Sequence, residues 1–133
     1  MSDPTNTVTE FLDAWADGKD GFANAVRKWF TPETVWENVG LSTTKGVDQA
    51  LALMAGMSAG GIESLRVENL AVAANGNKVL TERIDYLMDG AGKTLIEARV
   101  MGIFEVDQNG KITRWADYFD TAAMKPQPAA AAS

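Results

Sequence analysis

The sequence predicts an α+β domain in which a long, mostly antiparallel sheet curls around helices at the N-terminal end of the chain. Two observations carry this reading. Apolar residues recur at helical spacing up to Gly61, and beyond it the pattern changes to runs of β-branched and aromatic residues separated by Asn-Gly and Gly-rich turns. Size agrees: 133 residues with 46% hydrophobic content make one ordinary globular domain.

Each element has its own signal. Val8, Phe11, Leu12 and Trp15 form an apolar stripe over Thr5 to Ala16, with Asp3 or Thr5 placed to cap the start and Gly18 to end the helix. Phe22, Val26, Trp29 and Phe30 align in a second helix from Asp20 to Phe30, stopped by Thr31-Pro32. Thr34 to Val39 reads as a short strand. Gly46 to Ser58 reads as a third helix, striped by Val47, Ala50, Leu51 and Met54 and ended by Gly60-Gly61. Four strands then follow over Ile62 to Ala74, Lys78 to Met88, Thr94 to Val106 and Lys111 to Phe119. Their turns fall at Asn75-Gly76, Gly90 to Gly92 and Asn109-Gly110. The domain is expected over residues 5–122. The remainder, 123–133, ends in an Ala run with little to bury and is expected to be a flexible tail.

Composition narrows the function. With 18 acidic and 12 basic residues the formal charge is −6, which argues against a nucleic-acid partner and against an anionic membrane surface. There is no Cys and no His, so thiolate zinc sites, a cysteine nucleophile and the commonest general base are excluded. The acidic residues lack EF-hand spacing, and no metal or cofactor is expected. No apolar run is long enough to span a bilayer, and M-S-D-P-T-N-T has neither the basic region nor the apolar core of a secretory signal. The expected location is the cytoplasm.

The best candidates for chemistry are therefore Arg83 and Asp85 in T-E-R-I-D-Y and Asp117 in R-W-A-D-Y-F-D. All three lie in apolar, strand-like segments, where an unpaired charge needs solvent or a partner. Strand alternation puts Thr81, Arg83, Asp85 and Leu87 on one face and Glu82, Ile84, Tyr86 and Met88 on the other. Asp117 shares its face with Trp115 and Phe119. Whether that face is the one carrying Arg83 depends on register, which pattern alone does not decide. Taken singly, R-x-D reads more readily as an ion pair on a solvated sheet surface, and the aromatic residues as core.

Four motifs together carry more. V-W-E-N-V-G at 35–40, V-L-T-E-R-I-D at 79–85, G-I-F-E-V at 102–106 and K-I-T-R-W-A-D-Y-F-D at 111–120 resemble, in the same order, the limonene-1,2-epoxide hydrolase family. That family is a branch of the SnoaL-like or NTF2-like cone fold. The resemblance implies a curved, mixed sheet wrapped around the helices, a cofactor-free homodimer, and one-step opening of a small lipophilic epoxide by water. It implies Asp117 as the general base acting on water, Asp85 as the general acid toward the epoxide oxygen, Arg83 as the cation between them, and Asn38 as a residue holding the water. Trp36 stands where the family usually has a Tyr that helps to hold that water. An indole can donate a hydrogen bond to the water or simply fill space and reshape the pocket. Leu53, Met57, Leu87, Val100 and Phe119 are the candidate substrate-lining residues. Two other functions remain open: proton removal alpha to a carbonyl by a single carboxylate, as in isomerases and polyketide cyclases of the broad fold, and a non-catalytic ligand-binding cone. Glu97 and Arg99 read as a dimer-facing or solvated pair.

Overall fold

The computed structural model describes residues 3–124. The chain begins with α1 (Pro4–Ala14), capped by Asp3, whose carboxylate accepts a 2.9 Å hydrogen bond from the Thr5 backbone N–H. Pro4 occupies the first turn, where its missing N–H costs nothing. The helix stops at Ala14, short of the expected Ala16, and a turn running to Gly18 leads to α2 (Gly21–Trp29). Val8, Phe11, Leu12, Val26 and Trp29 turn inward from these two helices, as their spacing predicts.

The largest difference from expectation follows α2. Phe30 is already extended, and β1 runs Phe30–Asn38 straight through Thr31-Pro32, which the sequence had marked as a break. Proline is tolerated there because β1 pairs with β2 only from Val35 onward, and its register with β6 is irregular between Phe30 and Val35. A second strand, β2 (Ser42–Lys45), was not expected at all. It is followed by α3 (Gly46–Ala59), which ends at Gly60 as predicted.

The four later strands lie close to where they were expected: β3 (Ser64–Asn75), β4 (Lys78–Met88), β5 (Thr94–Val106) and β6 (Ile112–Tyr118). Gly76, with φ +62°, begins the two-residue turn between β3 and β4, where a left-handed residue is needed. The six strands form one sheet in the order β2-β1-β6-β5-β4-β3. Every neighbouring pair is antiparallel except β1 and β6, which run parallel. The sheet is therefore mixed. The expected tail lies almost wholly outside the described residues, which finish in a short 3₁₀ turn, Thr121–Met124.

The helices all pack on one face of the sheet, α1 against β3, β4 and β5 and α3 against β1 and β2. Aromatic side chains fill the space between. Phe11 meets Trp15, Trp29 and Trp115 edge-on, with ring centroids 5.4 to 5.9 Å apart. Each such pair contributes about 0.5–1.5 kcal/mol beyond the area it buries. Near the open end of this core the helices and the sheet separate, and a cavity remains.

Candidate active site

Period-two alternation along β4 turns Val79, Thr81, Arg83, Asp85 and Leu87 toward the helices, and all five are buried. Three of them are polar. On β6 the same face carries Trp115 and Asp117, and the register of β4, β5 and β6 brings Asp117 to the side on which Arg83 lies. The sequence had left this choice open.

Arg83 is completely buried, and its guanidinium bridges the two carboxylates. Nε donates to Asp85 Oδ1 at 2.8 Å and Nη2 to Asp85 Oδ2 at 3.1 Å, a two-point contact along one strand. Nη2 also donates to Asp117 Oδ2 at 2.5 Å, two strands away. Nη1 donates to Thr81 Oγ1 at 3.1 Å. The other Asp117 oxygen, Oδ1, accepts from Trp115 Nε1 at 2.6 Å. Neither Thr81 nor Trp115 was read as a site residue, although W-x-D on a strand places indole and carboxylate side by side on one face.

The electrostatics follow from burial. Desolvation pushes the Asp117 carboxyl above its ordinary range; the Arg83 cation and its hydrogen bond pull it back, Asp85 pushes it further up, and the net shift is upward. For Arg83 burial disfavours the cation, but Asp117 and Asp85 outweigh it and hold the guanidinium above its ordinary value. One cation between two carboxylates is a neutral cluster when the pair holds one proton. A base held above the usual carboxylate range is also a stronger base at neutral pH.

Asp85 and Asp117 line a cavity of about 400 Å³. Arg83 does not reach it, lying behind the two carboxylates. Asn38, at the end of β1 and paired in register with Asp117, lines the cavity too. Its Nδ2 donates to Ser42 Oγ at 3.2 Å, an orientation that leaves Oδ1 for a ligand. Trp36 also lines the cavity, and its ring lies flat on Trp115, with centroids 4.6 Å apart and planes 5° from parallel. Trp36 Nε1 is buried and has no acceptor among the described residues. Through its ring face the indole buttresses the residue that holds Asp117.

The candidate apolar residues Leu53, Met57, Leu87, Val100 and Phe119 all lie on the cavity wall. Trp15, Phe22 and Met54, whose helical spacing marks them only as core, line it too, as does Leu65, for which the sequence carries no signal. The cavity is not closed. Leu41, in the turn between β1 and β2, is on the lining and 60% exposed, so the cavity has a mouth there. Glu97 and Arg99 are exposed on the far face of β5, away from the site.

A cone of helices and mixed sheet with polar groups at its apolar centre defines a broad structural class. Crystal structures of an NTF2-like protein of unknown function from Burkholderia pseudomallei and of a putative SnoaL-like polyketide cyclase from Jannaschia superpose with TM-scores of 0.74 and 0.72. They cover 93% and 91% of this chain, and it covers 95% and 88% of theirs, at 21% and 19% identity, a likeness of fold alone. Within that class the chain belongs to the limonene-1,2-epoxide hydrolase family, whose catalytic domain is matched by residues 2–128. An epoxide hydrolase of Mycobacterium tuberculosis, EphG, is 39% identical over 92 residues, which are 69% of this chain and 58% of that protein. The match therefore spans little more than half the length of this curated relative. The structure of a limonene-epoxide-hydrolase-like enzyme from M. tuberculosis is similar at 34% identity with a TM-score of 0.73, over 91% of this chain and 81% of that one.

Proposed function

We propose that the protein is an epoxide hydrolase, converting a small lipophilic epoxide to a vicinal diol by one-step acid-base catalysis. The observation that carries this reading is the bridge. Arg83 holds Asp85 and Asp117 together at the wall of an apolar cavity, so an acid and a base face one substrate from adjacent positions. A single-base proton transfer would use only one of them.

The step balances as follows. A water oxygen attacks an epoxide carbon while Asp117 takes one of its protons. The carbon–oxygen bond breaks as Asp85 delivers its proton to the departing oxygen, giving a diol. One carboxyl loses a proton and the other gains one, so the net charge behind the cavity is unchanged and the buried Arg83 need not move. Asn38 Oδ1, beside Asp117 in the sheet, receives the second proton of the water as a hydrogen bond and aims the oxygen lone pair. Trp115 keeps Asp117 oriented through Oδ1. Leu53, Met57, Leu87, Val100 and Phe119 enclose the substrate's hydrocarbon, and the cavity suits a molecule of modest size.

The working unit of this proposal is a homodimer. Leu80 with Ile103, and Met101 with Tyr118, are cross-strand neighbours on the outer face of the sheet, and Leu80, Met101 and Tyr118 are 41%, 51% and 49% exposed. Covering such a patch with the same face of a second copy is the simplest way to remove it from water. Among the described residues no helix is long and apolar enough to cross a membrane. The location proposed is the cytoplasm, with neither nucleic acid nor membrane as partner.

The test is incubation with a panel of small epoxides in oxygen-18 water, followed by mass and chirality of the products. One labelled oxygen in a diol supports the reading, and an unreacted panel together with isomerised carbonyl substrates would favour single-base proton transfer.

A further inference from the structure

Arg83 starts on β4 and reaches a carboxylate on β6, so its guanidinium has to pass the strand between them. Thr81 of β4 stands opposite Gly102 of β5, and Gly102 stands opposite Asp117 of β6. The three make one row across the face that carries Arg83. The middle member has no side chain.

Glycine in a strand interior weakens the strand and has a reason when it occurs there. At Gly102 that reason is not conformational, because it is not among the glycines with positive φ. It is space. A β-carbon at this position would lie 2.7 Å from Asp117 Oδ1 and 3.0 Å from Thr81 Oγ1, and would overlap Arg83 Nη1. On the other side of the gap, Thr81 Oγ1 accepts from that same Nη1.

We propose that Gly102 and Thr81 are positioning residues for the acid-base pair, Gly102 leaving the gap through which Arg83 reaches Asp117 and Thr81 anchoring the guanidinium within it. This rests on the reading of Arg83, Asp85 and Asp117 as the catalytic trio. Neither positioning residue lines the cavity, so neither touches the substrate.

Gly102→Ala tests the claim. The added methyl pushes the guanidinium out of the row and breaks its contact with Asp117, while the Nε contact to Asp85, on its own strand, survives. The charged groups facing Asp117 are Arg83 and Asp85, both from β4; at the cavity β1 brings Trp36 and Asn38, β5 Ala98 and Val100, and α3 Leu53, Met54 and Met57. Without the cation, Asp117 holds its proton to higher pH. At neutral pH kcat should fall about 100-fold with KM little changed, and the acid limb of the kcat profile should move upward in pH so that the deficit narrows in alkali. A merely structural defect would lower activity equally at every pH. Carbon-13 NMR titration of the Asp117 carboxyl should show the same upward move without any substrate. It therefore tests the positioning claim even if the wild-type chain turns over no epoxide, the result that would sink the functional reading instead. Thr81→Val keeps the shape and removes the Nη1 acceptor, and should cost about 10-fold in kcat with a shift in the same direction. Wild-type turnover and Asp117 titration in Gly102→Ala would overturn the proposal. If that variant does not fold, a wild-type profile in Thr81→Val overturns it.

Discussion

Replacing Arg83 by Met keeps most of the side chain's bulk and deletes the cation on which the polar cluster depends. Arg83 makes four hydrogen bonds, to two buried carboxylates and Thr81, and is completely inaccessible. Removing one partner of such a network leaves charge in an apolar wall, at a cost of about 3–5 kcal/mol. The sign of its pH dependence follows from Asp117. Its carboxyl is already held above the unfolded value, so the folded state binds more protons than the unfolded state between the two pKa values, and stability falls as pH rises through that window. Deleting the cation raises the folded value further and widens the window upward. The deficit of Arg83→Met relative to wild type should therefore be smaller in acid, where Asp117 keeps its proton, and grow toward the full cost in mild alkali. Urea unfolding followed by tryptophan fluorescence in acid and in mild alkali measures this, provided the slope m is unchanged. A variant within about 1 kcal/mol of wild type in mild alkali, or a deficit independent of pH, would show that the trio is not the buried, mutually dependent cluster described.

Trp115→Phe keeps the aromatic wall and removes the N–H donor to Asp117 Oδ1, a bond that lowers the Asp117 pKa. Its acid limb should move to higher pH with about a 10-fold loss of kcat at neutral pH, and an unmoved profile would relegate Trp115 to packing. Trp36→Tyr removes part of the ring stacked on Trp115 and returns a hydroxyl beside the water. It should lower the melting temperature by a few degrees, corresponding to roughly 1 kcal/mol, yet raise the hydrolysis rate; a fall in rate would mean that the indole shapes the pocket for this protein's own ligand. Met101→Arg sets a charge in the middle of the exposed outer patch and should give a monomer by light scattering, from a wild type that scatters as a dimer. A wild-type monomer at micromolar concentration would remove the homodimer from the proposal.

The parts of this molecule that were legible in the sequence are those written in local chemistry. Gly76, Gly92 and Gly110 all have positive φ, and the turns around them mark off β3 to β6 to within two residues, because such turns demand glycine. Alternation on β4 put Arg83 and Asp85 on one shared face, which the structure buries, and the five apolar candidates all lie on the cavity wall. β2 was missed because S-T-T-K is four residues long with a single buried side chain, Thr44, and carries no apolar alternation. β1 was started too late because Thr31-Pro32 reads as a helix stop, whereas here the proline falls in an unpaired stretch of strand. Nor does alternation show that Arg83 crosses β5 to meet Asp117. That contact depends on register and on the missing side chain at Gly102, which act through neighbours far apart in the chain.

The central claim is that Asp85 and Asp117 act together, and a turnover cycle through Asp85→Asn, Asp117→Asn and the double variant tests it most directly. Each substitution keeps shape while removing the transferable proton or the base; the new amide nitrogen cannot accept the hydrogen bond that the replaced oxygen takes from Arg83 or Trp115, so turnover is compared among variants shown by circular dichroism to fold and by titration to bind ligand. Each single change should lower epoxide turnover by at least about 100-fold, and the double variant should be little worse than either, because a concerted step that has lost one partner gains little from the other. Near-normal turnover in Asp85→Asn with loss in Asp117→Asn would contradict the paired mechanism and leave Asp117 as a lone base.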